Sequence, residues 1–408
     1  MSTVDKRNLS MLRNSIGAAI DDAIDISALI AACQKVVQIE SLTGQEANVA
    51  KFVAEQMRAL SFDDVKIDAN GNVIGTVFGD GTGPSVMING HIDHVPVGAM
   101  QNPFSGELVD ASRWGESGQA IFGRGSCDMK CNVISAVYAV GALQRSGLKP
   151  GGDVIVVADV EEETDSPKGV KSVIEGGLRA DYGISVESTK GQVYLGHRGK
   201  LEFEVCFYGR TSHASEPSNG VNAIYLSTAF IGALEQYATT LREDDLLGPA
   251  TVVVTGMHSF PDNGTAVVPD LVKMRVDRRY IRGESEENCL SEIRQILKSA
   301  YGETEGVKWS AEVINHYPLM FTPQTSPVAQ AAILATLNVD ETAPVVSAWR
   351  FGVNGTFMNE AGIPTIGLGP GDEKWAHTPE EHIGTADVVN STRKIARAVM
   401  ALTKAGEA

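Results

Sequence analysis

The run SVMINGHIDH, residues 85–94, is an apolar strand that stops on His91, Asp93 and His94. A continuous apolar run of this kind belongs to a strand covered on both faces, as in a parallel sheet. Downstream, DMKCNVISAVYAVGALQRSG (128–147) reads as a buried helix and DVIVVADVEEE (153–163) as a second apolar strand with an acidic end. GVKSVIEGG (169–177) then reads as a helix and DYGISVES (181–188) as a third strand. This alternation predicts a largely parallel α/β sheet with helices on both faces. Upstream, apolar residues at helical spacing run from about Ile26 to Leu60, broken by SLTGQE (41–46). There Thr43 and Glu46 have the spacing of a capping box for the helix that follows. Near the N-terminus, Asp21, Asp22 and Asp25 interrupt any apolar run, so neither a signal peptide nor a membrane anchor is expected.

The pattern changes near Gly196. KLEFEVCFYG (200–209) alternates apolar and polar residues, as a half-exposed antiparallel strand does. A helix over 222–241, strands over 251–259 and 271–280, a helix over 285–301 and a strand over 307–317 follow. This β-α-β-β-α-β order predicts a ferredoxin-like unit. After Pro318, helix and buried strand return. The expected architecture is α/β: a mostly parallel-sheet domain, residues 1–197 and 316–408, interrupted by a ferredoxin-like α/β domain over 198–315.

The 408 residues are 43% hydrophobic, and 51 acids against 34 bases give a formal charge of −17. Such a surface repels nucleic-acid phosphates and anionic membranes, so neither is expected as a partner. The five cysteines are scattered without a C-x-x-C pair, which points to a reducing compartment, the cytoplasm, rather than a disulfide scaffold.

Functional sites in open parallel sheets lie at the carboxyl ends of strands. Here those ends carry His91, Asp93 and His94, then Glu161, Glu162 and Glu163, then Glu187. The late loop GPGDEKWAHTPEEH (369–382) offers His377 and His382, and Asp128 stands at a helix start. Imidazoles and carboxylates without thiolate pairs suit a hydrolytic metal site better than a structural zinc. Each piece alone has a plainer reading: Asp128 as a helix cap, the glutamate run as a solvated cluster. Their joint order is what carries the metal reading. GRG and GLGPG lack the spacing of a phosphate-binding loop between strand and helix.

From about Ser27 onward the sequence resembles the metallohydrolases that include aminoacylase, acetylornithine deacetylase, succinyl-diaminopimelate desuccinylase and glutamate carboxypeptidase. The motifs carrying the resemblance are GHIDHVPVG, FGRGSCDMK, VEEET, DYGISVESTKG, GRTSHASEPSNGVNAI and GIPTIGLGPGDEKWAHTPEE. The segment 351–371 is closer to a bacterial deacetylase-like branch than to the carboxypeptidases. The resemblance implies two divalent ions, zinc foremost with cobalt or manganese as alternatives. His91, Asp128 and Glu187 would hold one ion; Asp128, Glu163 and His377 would hold the other, with Asp128 bridging. Glu162 would be the general base and Asp93 the partner behind His91. The glutamate run leaves a second register open, with Glu161 and Glu162 as base and ligand.

The resemblance further implies that His213, in the inserted domain, stabilises an oxyanion, and that Arg279 binds a substrate carboxylate. Gly369 and Arg350 are further candidates for that pocket, and the inserted domain is expected to act as lid and homodimer contact. Cys131, His94, Ala266 and Asn354 depart from the family pattern. His94 and Asn354 are therefore expected near the substrate, a small carboxylate-bearing molecule, and Cys127 and Cys131 as buried small residues or redox-sensitive neighbours of the site. The function expected is hydrolysis of a C–N bond, usually the amide of an N-acyl amino acid or dipeptide-like substrate, by a water held between two ions. Aryl deamination and a catalytically dead binding relative are the alternatives.

Overall fold

The computed structural model describes residues 15–164, 166, 168–262, 266–302 and 308–404. The first fourteen residues, including part of the N-terminal stretch read above, lie outside them. No helix among the described residues is long and apolar enough to cross a membrane. The chain divides into two compact units, one of residues 1–196, 321–347 and 353–408, the other of residues 197–320 and 348–352.

In chain order the first unit opens with strands β1 (Asp64–Ile67), β2 (Val73–Val77), β3 (Val86–His91), β4 (Glu107–Asp110), β5 (Gln119–Phe122), β6 (Val154–Asp159), β7 (Tyr182–Ser185) and β8 (Val193–His197). The second unit carries β9 (Gly199–Tyr208), β10 (Glu243–Asp244), β11 (Gly248–Pro249), β12 (Thr251–Phe260), β13 (Leu271–Tyr280) and β14 (Lys308–Tyr317). β15 (Met320–Phe321), β16 (Val346–Trp349), β17 (Thr365–Gly367) and β18 (His382–Gly384) complete the chain.

The opening apolar run is β3, buried at every position. It lies within a nine-stranded sheet ordered β1-β2-β6-β3-β7-β17-β8-β15, with β16 paired to β8. The parallel part is the centre, β6-β3-β7-β17, whereas β1, β2 and β8 run antiparallel to their neighbours. The sheet is therefore mixed, and its continuous apolar runs coincide with the parallel strands covered on both faces. Met87, Ile155 and Val157 face the helices Val170–Glu175 and Gly355–Glu360. The opposite face meets the buried helix Cys131–Ser146, where a side chain at Gly90 would strike Val133. A three-stranded sheet, β18-β5-β4, ties the late loop to the segment before Asp128.

The capping box does not form. The helix starts at Ala47, and neither Thr43 nor Glu46 caps it by a side chain. Thr43 Oγ1 donates instead to Asp93 Oδ2 at 2.7 Å, and Glu46 Oε1 accepts from Gly44 N–H at 2.8 Å and Glu161 N–H at 3.2 Å. Charged and backbone partners at two strand ends outcompete a local cap.

In the second unit, four antiparallel strands are ordered β12-β13-β9-β14. With helices Ala223–Ala238 and Glu286–Tyr301, this is the ferredoxin-like arrangement read from the pattern. The inward residues of β9 and β13, among them Leu201, Phe203, Met274 and Val276, pack against Phe230, Leu234, Ile293 and Leu297 of the two helices. On the other face β9 and β13 turn mostly polar residues, among them Glu202, Glu204, Lys273 and Arg275.

Candidate metal centre

Three carboxyl ends of the central strands and two loops converge. β3 ends on His91, whose Nδ1 donates toward the main chain and side chain of Asp93, at 3.1 Å to its carbonyl and 3.2 Å to Oδ1. That puts a ring hydrogen on Nδ1 and turns Nε2 toward the cluster. Nε2 lies 3.0 Å from Asp128 Oδ1 and 3.8 Å from Glu187 Oε1. The other oxygen of Asp128, Oδ2, lies 3.0 Å from His377 Nε2, which is itself 3.1 Å from Glu163 Oε1. Asp128 thus presents one oxygen to each of two histidine–glutamate groups. Single ligand atoms of His91, Asp128 and Glu163 fall within 4.8 Å of one another.

Asp93 is fully buried and orients more than the imidazole. Its two oxygens accept the backbone N–H groups of Glu162, at 3.1 Å, and Glu163, at 3.2 Å. The chain reaches that turn through Glu161, whose φ of 57° is left-handed for a non-glycine residue. The turn sends Glu161 outward, to Lys168 Nζ at 2.7 Å and Ser166 Oγ at 2.8 Å, and Glu163 inward to His377. This geometry brings the Glu163 carboxylate, and not that of Glu161, to His377. The Glu162 carboxylate makes no hydrogen bond among the described residues, and the charges of His91, Glu163 and Asp128 act on it. His377 also sits in the left-handed region, at φ 60°, as residues held by their surroundings at functional sites do.

The electrostatics show what this arrangement suits. Burial first, and then neighbouring carboxylates, push Glu162, Glu163 and Glu187 upward. For Asp128, burial is outweighed by hydrogen bonds from His377 and His91, which hold it well below the usual range. Hydrogen bonds to Asp128 and Glu163 raise His377 to about 10, and those to Asp128 and Asp93 raise His91 against the effect of burial. Among the described residues, Glu187 Oε2 is buried with no hydrogen-bond partner. Crowded buried carboxylates with an orphaned oxygen are costly unless cations offset them. The oxygen and imidazole donor set fits divalent ions of the zinc type.

The structure departs from several expectations about the substrate side. His94 is buried, with Nε2 accepting from Ser41 N–H at 3.0 Å and Nδ1 donating to the Val95 carbonyl at 2.8 Å. Both ring nitrogens are used, and burial lowers the ring to about 4, so His94 fastens its own loop to the segment holding Ser41. Asn354 is buried and donates from Nδ2 to Asp159 Oδ2 at 2.6 Å, again an interior tie. Gly369 packs where a Cβ would lie 2.1 Å from the Val186 carbonyl, and its own carbonyl accepts from Gly191 N–H at 2.8 Å. It lets the late loop press against the strand end bearing Glu187 and has no polar group free for substrate. Cys127 and Cys131 are fully buried thiols that burial pushes upward, as small interior residues. Of the two late-loop histidines only His377 joins the cluster. His382 stacks on Trp114 at 3.5 Å and donates from Nδ1 to the Glu380 carbonyl.

In the second unit, His213 is exposed and its Nδ1 accepts from Ser215 N–H at 3.2 Å, which places the hydrogen of the neutral ring on Nε2. Alternation along β13 turns Arg278 toward the helices, where it meets Glu284 at 3.0 Å, and Arg279 toward the open face, where Asp277 holds it at 2.9 Å. Burial first, and then the charges of Arg279 and the exposed Arg350, lower Arg198, whose Nε is buried without a partner among the described residues. Arg198 adjoins no ligand motif in the sequence.

Residues 87–401 match the peptidase family M20/M25/M40. The chain is 32% identical over 363 residues to the protein YgeY of Escherichia coli K12, covering 85% of this chain and 87% of that one. It is 28% identical over 358 residues to a Myxococcus xanthus protein named acetylornithine deacetylase, covering 86% of this chain and 88% of that one. Its fold superposes with a TM-score of 0.70 on Bacillus subtilis YXEP, described as a dinuclear metal-binding peptidase of the M20 family, at 15% identity over 92% of this chain and 97% of that one.

Proposed function

The chain belongs to peptidase family M20/M25/M40 and is a hydrolase of amide or peptide C–N bonds, and from that premise we propose that it cleaves the amide of an N-acyl amino acid or a dipeptide-like carboxylate. The observation that carries the reading is Asp128, with one oxygen on each of two histidine–glutamate groups. His91, Asp128 and Glu187 would hold one divalent ion, and Asp128, Glu163 and His377 the other. Zinc is the first choice, with cobalt or manganese as alternatives. When bound, the ions polarise the scissile carbonyl and make the attacking water more acidic.

The chain's own residues do the rest. Glu162, with its carboxylate untied, accepts the proton of the attacking water and returns it to the leaving amine. Asp93 keeps His91 in the tautomer that leaves Nε2 free and holds the turn from which Glu162 and Glu163 diverge. From the inserted unit, His213 offers Nε2–H to the developing oxyanion. Arg279, with Arg198 and Arg350 near it, takes the substrate carboxylate as a fork–fork pair.

The same unit supplies the homodimer contact. Its edge strand β12 is ten residues long and exposes Val253, Met257 and Phe260, a surface that invites pairing. The five free thiols suit a reducing cytoplasm.

The test is a screen of the metal-loaded protein against N-acyl amino acids, dipeptides and aromatic amines, before and after chelation. Chelator-sensitive hydrolysis of the first two classes is expected. Ammonia release from aromatic amines alone would overturn the amide as target.

A further inference from the structure

We infer that Glu381, backed by Arg124, is a positioning residue that sets the Asp128 carboxylate for two-ion binding. The inference rests on the metal-site reading above. Glu381 is fully buried and Arg124 nearly so. Glu381 Oε1 accepts the backbone N–H groups of Cys127 and Asp128, each at 3.1 Å, and Oε2 takes Arg124 Nη1. The Glu381 carbonyl also accepts Gly123 N–H at 3.2 Å, so both the main chain and the side chain of one residue hold the segment 123–128.

That segment needs such an anchor. Asp128 has φ −124° and ψ 94°, outside helical values, so the adjoining helix does not define its conformation. A carboxylate accepting two N–H groups and a guanidinium satisfies otherwise unpaired main-chain donors at the residue whose two oxygens face His91 and His377. Glu381 follows His377 in the same loop, and the next residue, His382, pairs with Phe122 across β18 and β5. The anchor therefore links the loop of one ligand to the turn of the bridging ligand. A buried ion pair by itself is weak evidence of stabilisation. A charge spent on the backbone of a ligand instead points to a role in ligand geometry, where losing an outer partner typically weakens metal binding about 10–100-fold.

The experiment is calorimetric titration of cobalt(II) into the ion-free full-length chain, with the visible cobalt spectrum recorded alongside. Glu381→Gln, which sets an amide N–H₂ against existing donors, should bind the ions about 10–100-fold more weakly with an altered cobalt spectrum, while the ion-free chain keeps its circular dichroism. Arg124→Lys should fall between wild type and Glu381→Gln. The neighbouring Glu380→Gln, whose carboxylate pairs with Arg113 on the surface, should bind as wild type. Wild type taking up two ions with Glu381→Gln unchanged overturns this inference alone. Wild type taking up no ions overturns the metal-site reading and this inference with it. If Glu381→Gln does not fold, Arg124→Lys is the variant to read. Wild-type affinity in that variant, or failure of both to fold, assigns the pair a purely structural role and overturns the inference.

Discussion

The two units hold their polar residues in opposite ways. In the first, Asp93 is fully buried, Asp128 and Glu187 nearly so, and each orienting carboxylate is bonded to the backbone of another loop. In the second, His213 stands exposed with Ser215 as its hydrogen-bond partner, Arg279 is half-buried beside Asp277 and Arg350 is exposed. Burial in the first unit would set the geometry of the proposed ligands before any ion arrives. The exposed His213 and Arg350 keep more of their hydration, so ordering them costs free energy at the moment of substrate binding. The contrast suggests a fixed reaction centre and an adaptable specificity surface, and each half of it can be broken.

The largest effect should come from the untied carboxylate. Glu162→Ala should lower kcat by about 10²–10⁴-fold while metal content and melting temperature stay as in wild type. Turnover near the wild-type rate would remove Glu162 as the base. His213→Ala should lower kcat by about 10²–10³-fold without changing metal content. If KM alone moves, His213 binds substrate rather than stabilising an oxyanion, and the second unit contributes specificity only. Arg279→Ala should raise KM on the order of 10–100-fold, the loss of one charge-assisted pair, for substrates with a free carboxylate. An equal rise for carboxamide analogues would show that Arg279 does not read the carboxylate.

The smallest effect is the pH response of the ion-free centre. His377 is raised from 6.5 to about 10 by Asp128 and Glu163. Its contribution to stability is present in full below about pH 6.5 and lost as pH climbs toward 10. The proton it carries at neutral pH must leave when an ion binds, so metal affinity should rise over the same interval. Calorimetry in buffers of different ionisation enthalpy, with melting curves of the ion-free chain, would check both trends. Affinity that stays flat from pH 7 to 9 would contradict them.

Much of this was legible without coordinates. The strand ending on His91, the acidic end of β6 and the β-α-β-β-α-β pattern were read from periodicity, because burial on one face or two imprints itself on every residue of an element. The candidate ligands were legible from residue type at strand ends. Glu381 was not, since in the run Thr378-Pro379-Glu380-Glu381 nothing separates the surface carboxylate from the buried one. Arg198 gave no signal because it adjoins no ligand motif.

The sequence alone therefore determined which elements form and which chemistry gathers at their ends. Tertiary structure decided which polar residue serves which partner: Thr43 and Glu46 leave their helix for Asp93 and Glu161, His94 and Asn354 turn inward, and Glu161 and Glu163 part at one turn. A local pattern records whether a position is buried. A hydrogen bond between residues distant in sequence is settled only when competing partners are brought within about 3 Å of one another, and the strongest charged or backbone partner wins.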